Sequence, residues 1–272
     1  MGRELYQRIG RGHGGVLMAA AFVQGKGNVT LAGDSIQVTF DTAVTAGNVL
    51  VGFLYHADTA NTLAISDTVN GSWSASIRTQ FRPSNDRRME GFMFENSGSG
   101  TPTFTGTATP GSSTVLAILV AEFSGVPTSS VLSQQNSANG TSATPDSGNV
   151  TPAAGFEMFV GAAFDDGTTW TAGADYSNLI HDNPTPGSQR LVMESRRHNG
   201  TDSADFSIAS TQWAAMVFTL KEAGLVPDVG EDSPTVADAI TPNLINMPKV
   251  FNKSWVKLGD LFVPDRRIAV PC

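Results

Sequence analysis

The chain has 272 residues, 40% of them hydrophobic and only 15% charged, with a formal net charge of −8. This length can bury a substantial core, and the composition, with 28 glycines, is typical of many short strands joined by turns and not of long surface helices. The acidic balance speaks against general nucleic-acid binding, which depends on Lys and Arg to neutralise phosphates. The single cysteine, Cys272, excludes a disulfide within the chain.

Residues 1–15 are predicted to form a basic N-terminal arm. Arg3, Arg8 and Arg11 stand among glycines without apolar periodicity, and Glu4 is the only acidic residue there. A basic arm on an acidic protein can dock on an acidic partner surface, although terminal segments are also common places for disorder. The three arginines are therefore candidate partner-anchoring residues.

The apolar run Val16–Val23 follows the arm and has about half the length that a membrane span needs. We therefore predict no membrane span here. A basic segment before an apolar run is also typical of a signal peptide, but Gln24–Gly27 offers no convincing small-residue cleavage site. A cleaved signal stays open as the alternative.

Residues 16–126 are predicted to form a first β-rich half. Runs of β-branched and aromatic residues alternate there with Gly, Asn, Asp, Ser or Pro. Two runs, Val49–Tyr55 and Val115–Phe123, are apolar almost throughout, which predicts central strands covered on both faces. The other predicted strands alternate and should be half exposed. They are Val29–Leu31, Ile36–Phe40, Trp73–Ile77, Met89–Phe94 and Thr103–Thr107.

Residues 127–224 repeat this pattern. The segment Gly47–Asp58 can be laid over Gly155–Asp166, and Arg87–Glu90 over the segment that ends at Glu194. The predicted strands of this second half are Phe156–Phe164, Tyr176–Ile180, Arg190–Arg196, Ala204–Ala209 and Trp213–Lys221.

The predicted fold is therefore all-β. It is an antiparallel β-sandwich, jelly-roll-like, with an internal duplication over residues 16–224 and halves of about 16–126 and 127–224. The polar stretch Pro127–Thr151 is either a long surface excursion or the crossing between the halves. An extended N-terminal arm and an extended C-terminal tail complete the prediction.

Residues 225–234 hold two prolines and three acidic residues, which predicts a linker. In the tail, residues 235–272, prolines separate the apolar residues, so we do not expect it to build a core of its own. Phe251, Trp255 and Phe262 are the candidate residues for anchoring this tail to a neighbouring subunit. Packing of the tail on its own domain is the alternative.

No cofactor is predicted. The four histidines lie far apart and never at the spacing that places two zinc ligands on one helix face, and no nucleophile elbow or phosphate loop occurs. Asp58, Asp165 and Asp166 lie at predicted strand ends, where carboxylates can gather round calcium. Calcium stays an alternative, since Asp also favours such turns by bonding its own backbone.

Glu90 and Glu194 occupy matching places in the sequence overlay of the two halves. A glycoside hydrolase needs two carboxylates at a suitable separation in a cleft. Acidic residues on the solvent face of alternating strands are the ordinary outcome, and the match is first of all a sign of duplication. We therefore predict no catalytic residues.

Aromatic and basic residues near polar loops offer two kinds of contact surface. Trp73, Trp170 and Tyr176 are candidate glycan or receptor contacts, because a ring with one wet edge can stack on a sugar, although sandwich cores also use such residues. The arginine clusters in 78–88 and 190–198 can grip an acidic neighbour or an anionic glycan. Solvated charges with local ion pairs are the favoured interpretation of these clusters.

Three phrases of the sequence carry a family resemblance, namely Val44–Gly52 (VTAGNVLVG), Ser66–Trp73 (SDTVNGSW) and Val120–Val126 (VAEFSGV). They resemble a group of duplicated β-sandwich domains in virion proteins of tailed bacteriophages and in bacterial surface proteins. The resemblance covers residues 33–223. It implies a fold more than a role, because such domains occur as head decorations, tail appendages and adhesive modules. The phrase Thr235–Thr241 also resembles a repeat of large phage and bacterial surface proteins.

The resemblance, together with the lack of a reaction motif, implies a non-enzymatic virion structural protein. The expected role is a capsid decoration or a head or tail appendage subunit, assembled in the host cytoplasm and held by its terminal segments. Its expected partners are capsid or tail proteins of the same virion, within a homo-oligomer for which a trimer is one option, and neither nucleic acid nor membrane. The alternatives are an extracellular or cell-surface module that binds a carbohydrate or receptor and, third, a glycoside hydrolase.

Overall fold

The computed structural model describes residues 19–153, 155–183, 185, 188–224, 255–258 and 261–264. The chain falls into two compact units, Met1–Pro227 and Asp228–Cys272. The described residues form strands, turns and loops, and no helix is found among them. None of these residues therefore belongs to a helix long and apolar enough to cross a membrane. The all-β prediction is confirmed.

The described part of the first unit contains sixteen strands. Those of the first half are β1 (Ala21–Thr30), β2 (Ser35–Thr39), β3 (Val49–His56), β4 (Thr62–Asp67), β5 (Gly71–Ser72), β6 (Arg78–Phe81), β7 (Arg88–Phe94), β8 (Thr103–Thr109) and β9 (Leu116–Ser124). Those of the second half are β10 (Leu132–Ser142), β11 (Glu157–Thr168), β12 (Thr171–Ala172), β13 (Ser177–His181), β14 (Gln189–His198), β15 (Phe206–Ser207) and β16 (Thr211–Lys221).

Each half is built on a five-stranded antiparallel sheet with the same strand order. The order is β1-β9-β3-β7-β6 in the first half and β10-β16-β11-β14-β13 in the second. Both sheets also carry a register shift at the same place, between Phe22 and Gln24 in β1 and between Leu132 and Gln134 in β10. The shared order and the shared irregularity confirm the internal duplication.

A second sheet lies over the outer face of each five-stranded sheet. In the first half its order is β2-β8-β4-β5. Without the short edge strand β6, the first half thus has the two-sheet, eight-stranded arrangement of a jelly roll. In the second half, the described residues at this place form the two-stranded sheet β12-β15 and the isolated bridges Asp146–Asp205 and Val150–Asp202. The jelly-roll-like sandwich is confirmed, with the second half as the reduced copy.

The two five-stranded sheets pack face to face and share one central core. Phe53 stacks on Phe218 with ring centroids 5.5 Å apart, and the rings of Tyr55 and Phe164 meet at 5.0 Å. Gly91 in β7 leaves room for this packing, because a Cβ there would lie 2.3 Å from Cζ of Phe218. In addition to a core of its own, each half therefore contributes to one common apolar layer that is buried between the two sheets.

The edges of the two sheets also meet. A Cβ on Gly25 of β1 would lie 2.1 Å from the side chain of Ile180 in β13. At the other edge, Arg78 in β6 donates to the hydroxyl of Ser137 in β10 over 2.6 Å. Because β1 corresponds to β10 and β6 to β13, the two edge contacts are equivalent, and the halves are related by approximate two-fold symmetry. Each half covers edge strands of the other.

The direction of the side chains corrects the overlay of the halves by one residue. Val49 in β3 and Met158 in β11 both face the central core, so they occupy equivalent places. Gly52 then corresponds to Gly161, and both face away from that core. The overlay predicted from the sequence is one residue out, because a slip of one residue turns every side chain of a strand to the opposite face.

The same register overturns the predicted match of Glu90 with Glu194. Gly52 lies opposite Phe92 in the first half, whereas its equivalent Gly161 lies opposite Glu194 in the second. Glu194 therefore corresponds to Phe92. The sequence overlay placed the two glutamates together because each follows a methionine, but the strand pairing shifts one against the other by two residues.

Most strands lie where the sequence predicts them, and β3 and β9 are buried along almost their whole length, as expected of covered central strands. The stretch Pro127–Thr151 differs, since it contains β10, an edge strand of 11 residues. Trp73–Ile77 is not a strand, because Trp73 follows β5 and turns into the core. The alternating strand β4 was not predicted.

The described part of the second unit is a two-stranded antiparallel sheet of β17 (Trp255–Leu258) and β18 (Leu261–Pro264). Trp255 pairs with Pro264, and Leu258 pairs with Leu261. The region predicted as an extended tail therefore includes local strand pairing, and two of its candidate anchors, Trp255 and Phe262, lie on the paired strands.

Candidate interaction site

One end of the first unit carries both ends of its described chain. The backbone N–H of Ala20 donates to Oε1 of Glu222 over 3.1 Å, and that of Ala223 donates to the carbonyl of Gly125 over 2.8 Å. Strand β1 begins here and β16 ends here. The described chain of the first unit therefore begins and ends at the same end of this unit, which we call the terminal end.

A groove of about 460 Å³ lies at the terminal end. Its large apolar member is Phe156, which is 42% exposed. The guanidinium of Arg197 lies 4.0 Å above the Phe156 ring and pairs with Glu222, with 2.9 Å between Nη2 and Oε2. The groove is thus an apolar depression beside a fixed ion pair. Its lining comes from β11, β14, β16 and the segments that flank them.

Glu157 places a carboxylate in the wall of this groove. The residue is 1% exposed, and its Oε1 accepts a hydrogen bond from the backbone of Ala153 over 3.1 Å. Its Oε2 has no hydrogen-bond partner among the described residues. A buried acceptor without a partner is costly, so this oxygen marks a place where a donor from elsewhere would be stabilised.

Sequence reasoning did not find the terminal end. The contact between Ala20 and Glu222 joins residues 202 positions apart, and neither lies in a motif. Phe156 was assigned to a predicted strand, although β11 begins one residue later. The usable signal was that Glu157 separates Phe156 from the continuous apolar run Met158–Phe164, so Phe156 need not belong to the covered strand.

The opposite end of the module carries loops that are tied together across the two halves. Arg82 is 7% exposed and pairs with Asp86, with 2.6 Å between Nε and Oδ1, and also with Asp166 of the second half. Arg87 reaches the same Asp166 over 2.8 Å and donates to the hydroxyl of Tyr55 over 3.1 Å. These ion pairs fix the halves to each other.

The predicted arginine clusters are mostly engaged within the chain. Arg196 pairs with Asp202 over 2.9 Å, Arg190 donates to the carbonyl of Asp166 over 3.0 Å, and Arg88 lies 3.3 Å from Glu90. These contacts fit the favoured interpretation of local ion pairs, and they leave the clusters less suited to grip an acidic neighbour.

Two of the phrases behind the family resemblance meet in one buried network. Oε1 of Glu122, which is fully buried, accepts hydrogen bonds from the side chain of Asn48 over 2.5 Å and the backbone of Thr45 over 2.9 Å. Its Oε2 accepts from Gln24 over 2.7 Å. The phrases VTAGN and VAE therefore have a structural role in this chain, since Glu122 of the second holds the turn before β3 that the first contributes.

The third phrase builds a loop around Asp67. Its Oδ1 accepts from the backbone N–H groups of Val69 and Asn70, each over 2.7 Å, and its Oδ2 accepts from Nε1 of Trp73 over 2.7 Å. This network orders the turn between β4 and β5 and holds the indole against the core. The phrase SDTVNGSW thus describes a packed loop and not an open binding loop.

The three aromatic candidates for glycan contact lie in the cores of the sandwiches. Trp73, Trp170 and Tyr176 are 8%, 3% and 8% exposed. Trp170 packs edge-on against Phe206 with 5.5 Å between ring centroids, and the hydroxyl of Tyr176 donates to the carbonyl of Ser203 over 2.8 Å. With their rings covered by protein, these residues have no open face on which a sugar could stack, which corrects the expectation from the sequence.

Glu90 and Glu194 cannot flank one substrate. Their strand neighbours Met89 and Met193 both face the central core, so each glutamate lies on the outer side of its own five-stranded sheet. The two side chains therefore point away from each other with both sheets between them. The pair that the glycoside hydrolase alternative needed is not brought together.

The three strand-end aspartates are held by their own surroundings. Oδ1 of Asp58 accepts from the backbone of Ala60 over 2.9 Å, and that of Asp165 accepts from Gly167 over 2.7 Å. Burial raises the pKa of the Asp165 carboxyl, and Asp166 pairs with arginines as described above. Over the part of the chain that the structure describes, no group of three or more His, Cys, Asp or Glu is arranged to hold a metal ion.

The predicted anchoring residues belong mainly to segments whose structure is not described. Arg3, Arg8, Arg11 and Phe251 lie outside the described residues. Trp255 and Phe262 are placed only by their backbones, on β17 and β18. Their anchoring role stays a prediction.

Comparison with solved structures gives a structural likeness. No family model and no curated protein matches the chain. Among solved structures, the chain is similar to the crystal structure of the major capsid protein P2 from bacteriophage PM2, with 9% identity, a TM-score of 0.25 and coverage of 75% of this chain and 98% of that chain. At this score the fold assignment rests on the strand order and pairing described above.

Proposed function

We propose that the protein is a non-enzymatic structural protein of a bacteriophage virion. In its finer form, the proposal is a capsid decoration or a head or tail appendage subunit of a tailed phage, held in place by its terminal segments. The resemblance of its sequence phrases to duplicated virion domains supports this role. The structural observation that supports it is the position of both ends of the described chain at one end of the first unit.

This arrangement suits a subunit that is attached at one end and presents the other. Two segments attached at the same end can reach the same neighbouring surface, and two linked contacts hold a subunit far more firmly than either contact alone. The opposite end is closed by ion pairs between the halves, among them Arg87 with Asp166. The neighbours would be capsid or tail proteins of the same virion, in a cyclic homo-oligomer such as a trimer.

The candidate residues for glycan binding and for glycoside hydrolysis are not placed to serve those functions. The aromatic rings that were to bind a glycan are covered, and Glu90 and Glu194 face opposite sides of the central core. The charged side chains are largely paired within the chain, which fits a structural role better than a catalytic one. No described observation favours a second function strongly enough to propose it.

Deletion of residues 228–272 tests the proposal. Phage particles are assembled with either the full chain or the shortened chain as their only source of this protein, purified, and the copies per particle are counted by quantitative mass spectrometry. We expect the shortened chain to be depleted by at least about tenfold, because one of two linked contacts is lost.

A full-length L31S chain is the matched control. Leu31 is 68% exposed, so its replacement changes surface apolarity and leaves the second unit intact. Its copy number should equal that of the unaltered chain. Undiminished incorporation of the shortened chain would show that the second unit does not anchor the protein, and absence of the unaltered chain from purified particles would overturn the virion role itself.

A further inference from the structure

The groove at the terminal end exposes an apolar ring that a ligand could cover. Phe156 in its lining is 42% exposed, whereas most of the large apolar side chains that the structure describes are buried. The ring is held in place from one side by Arg197, which is itself fixed by Glu222. An exposed ring in a preformed depression of about 460 Å³ can be covered by an apolar side chain without rearrangement.

The unpaired oxygen of Glu157 indicates which polar group a ligand of the groove should carry. Glu157 is 1% exposed, yet only its Oε1 has a partner in the described structure. The other carboxylate in the groove lining, that of Glu222, differs in this respect, since both of its oxygens accept hydrogen bonds from Arg197. A carboxylate oxygen accepts most strongly from a cation, so the occupant should carry a guanidinium or an ammonium group next to an apolar residue.

Of the two segments that leave the terminal end, the first has the complementary charge. Residues 1–15 carry Arg3, Arg8 and Arg11 against one acidic residue, and the apolar Val16–Met18 follows them. The segment after Gly224 begins instead with three acidic residues within eight positions, which have the same charge as Glu157.

The first segment can also reach the groove. Ala20 is already bonded to Glu222, a lining residue of the groove, over 3.1 Å. At about 3.3 Å per residue, Met18 and Leu17 fall within roughly 10 Å of that point, and Arg11 within roughly 30 Å. Attachment through the same chain gives the segment a high effective concentration at the groove, so even a weak contact would be populated.

We propose that this groove binds the basic N-terminal segment of its own chain, residues 1–18. An arginine of the segment donates to Oε2 of Glu157, and the apolar residues that precede Ala19 cover Phe156. This inference goes beyond the proposed function, because it concerns the isolated subunit and holds whether or not the protein belongs to a virion. It implies that a neighbour that uses the arm must first draw it from this groove.

Limited proteolysis of the full chain tests the proposal, because the arginines of the segment are themselves trypsin sites. Cleavage after Arg3, Arg8 and Arg11 is followed over time by mass spectrometry in the unaltered chain, in E157Q and in F156S. Glu157→Gln keeps the size of the side chain and removes its charge. We expect cleavage at one or more of these sites to become at least about tenfold faster in E157Q, the factor that corresponds to loss of one hydrogen bond to a charged group.

F156S keeps the test valid if E157Q folds poorly, and it should also accelerate cleavage by removing the apolar contact. The control L31S, altered at an exposed residue outside the groove lining, should cleave at the rate of the unaltered chain. Two results would overturn the proposal. One is equal cleavage rates in the unaltered chain, E157Q and F156S, and the other is protection that disappears on dilution, which would assign the bound segment to a second copy.

Discussion

Glu194 is a buried carboxyl group whose pKa lies far above the usual range of a glutamate. It is fully buried, and its Oε2 accepts a hydrogen bond from the backbone of Gly173 over 2.9 Å. Burial, reinforced by the nearby carboxylates of Asp205 and Asp202, raises the pKa of Glu194 to about 8. At neutral pH this carboxyl is therefore mainly protonated in the folded chain, which explains how it tolerates its apolar surroundings near Gly161 and Ala204.

The protonation of Glu194 predicts how stability depends on pH. Between a pKa of about 4.3 in the unfolded chain and about 8 in the folded chain, folding retains a proton that unfolding releases. The free energy of unfolding therefore falls as pH rises through this window, by at most about 1.4 kcal/mol per pH unit from this group. Urea denaturation at pH 5, 6.5 and 8 should show E194Q gaining stability relative to the unaltered chain as pH rises.

The comparison between variants isolates Glu194 from other groups. Burial also raises the pKa of Asp182, to about 6, but this residue is the same in both chains, so its contribution cancels in the difference between them. E90Q is the control, since Glu90 lies in the first half, where it pairs with Arg88 of its own strand, and its replacement leaves Glu194 unchanged. A difference between E194Q and the unaltered chain that does not change with pH would contradict the assignment of the proton to Glu194.

At the scale of single strands, burial on both faces decides what the sequence can predict. β3 and β9 were predicted because an apolar run without alternation leaves few other structures open. β10 was not, because its side chains are polar and its strand conformation depends on backbone pairing with β16, which begins 69 residues after β10 ends. Edge strands of this kind are specified by their partner, so a local pattern does not reveal them.

The packing of β7 against β16 gives a prediction at the same scale. Gly91 of β7 faces Phe218 of β16. By the symmetry of the halves, Gly91 corresponds to Met193 of β14 and Phe218 to Ala121 of β9, so the small residue lies on β7 in one pair and on β9 in the other. G91A should lower the free energy of unfolding by about 1–3 kcal/mol, because its Cβ would lie 2.3 Å from the Phe218 ring. Chemical denaturation measures the loss.

F218L supplies the test of that cause. It shortens the side chain that the new methyl group meets, so the double variant G91A/F218L should lose less stability than the sum of the two single variants. Additive losses would mean that Gly91 is needed for its backbone and not for the space it leaves. G52A is not a useful comparison variant, because Gly52 faces Ile65 in the outer core and not the central core.

For the whole molecule, the sequence predicted the repeat but not how its copies are joined. The phrases and strand runs identify two similar halves, since each depends on residues close together in the chain. The face-to-face packing depends on contacts such as Phe53 with Phe218, which have no local signature. The terminal end escaped prediction for the same reason, since Ala20 and Glu222 meet across 202 positions of the chain.

The shared core makes the two halves one folding unit, although they are copies. Its buried members come from both five-stranded sheets, among them Val51, Phe53 and Leu119 from the first and Val160, Met216 and Phe218 from the second. Either half alone would expose this face, and an apolar surface of that kind associates. The duplicated chain thus resembles a two-fold dimer whose subunits have been joined by the exposed connection at residues 128–130.

Cleavage of that connection tests this description. A specific protease site inserted after Thr128 is cut in the folded protein, and the product is analysed by size-exclusion chromatography and thermal unfolding beside the uncut insertion. We expect the two fragments to elute together and to unfold in one transition, because the central core and the pairing of Arg87 with Asp166 hold them without the covalent link. Fragments that separate without denaturant and unfold independently would show that each half has a sufficient core of its own, and the central layer would then be an interface between two domains.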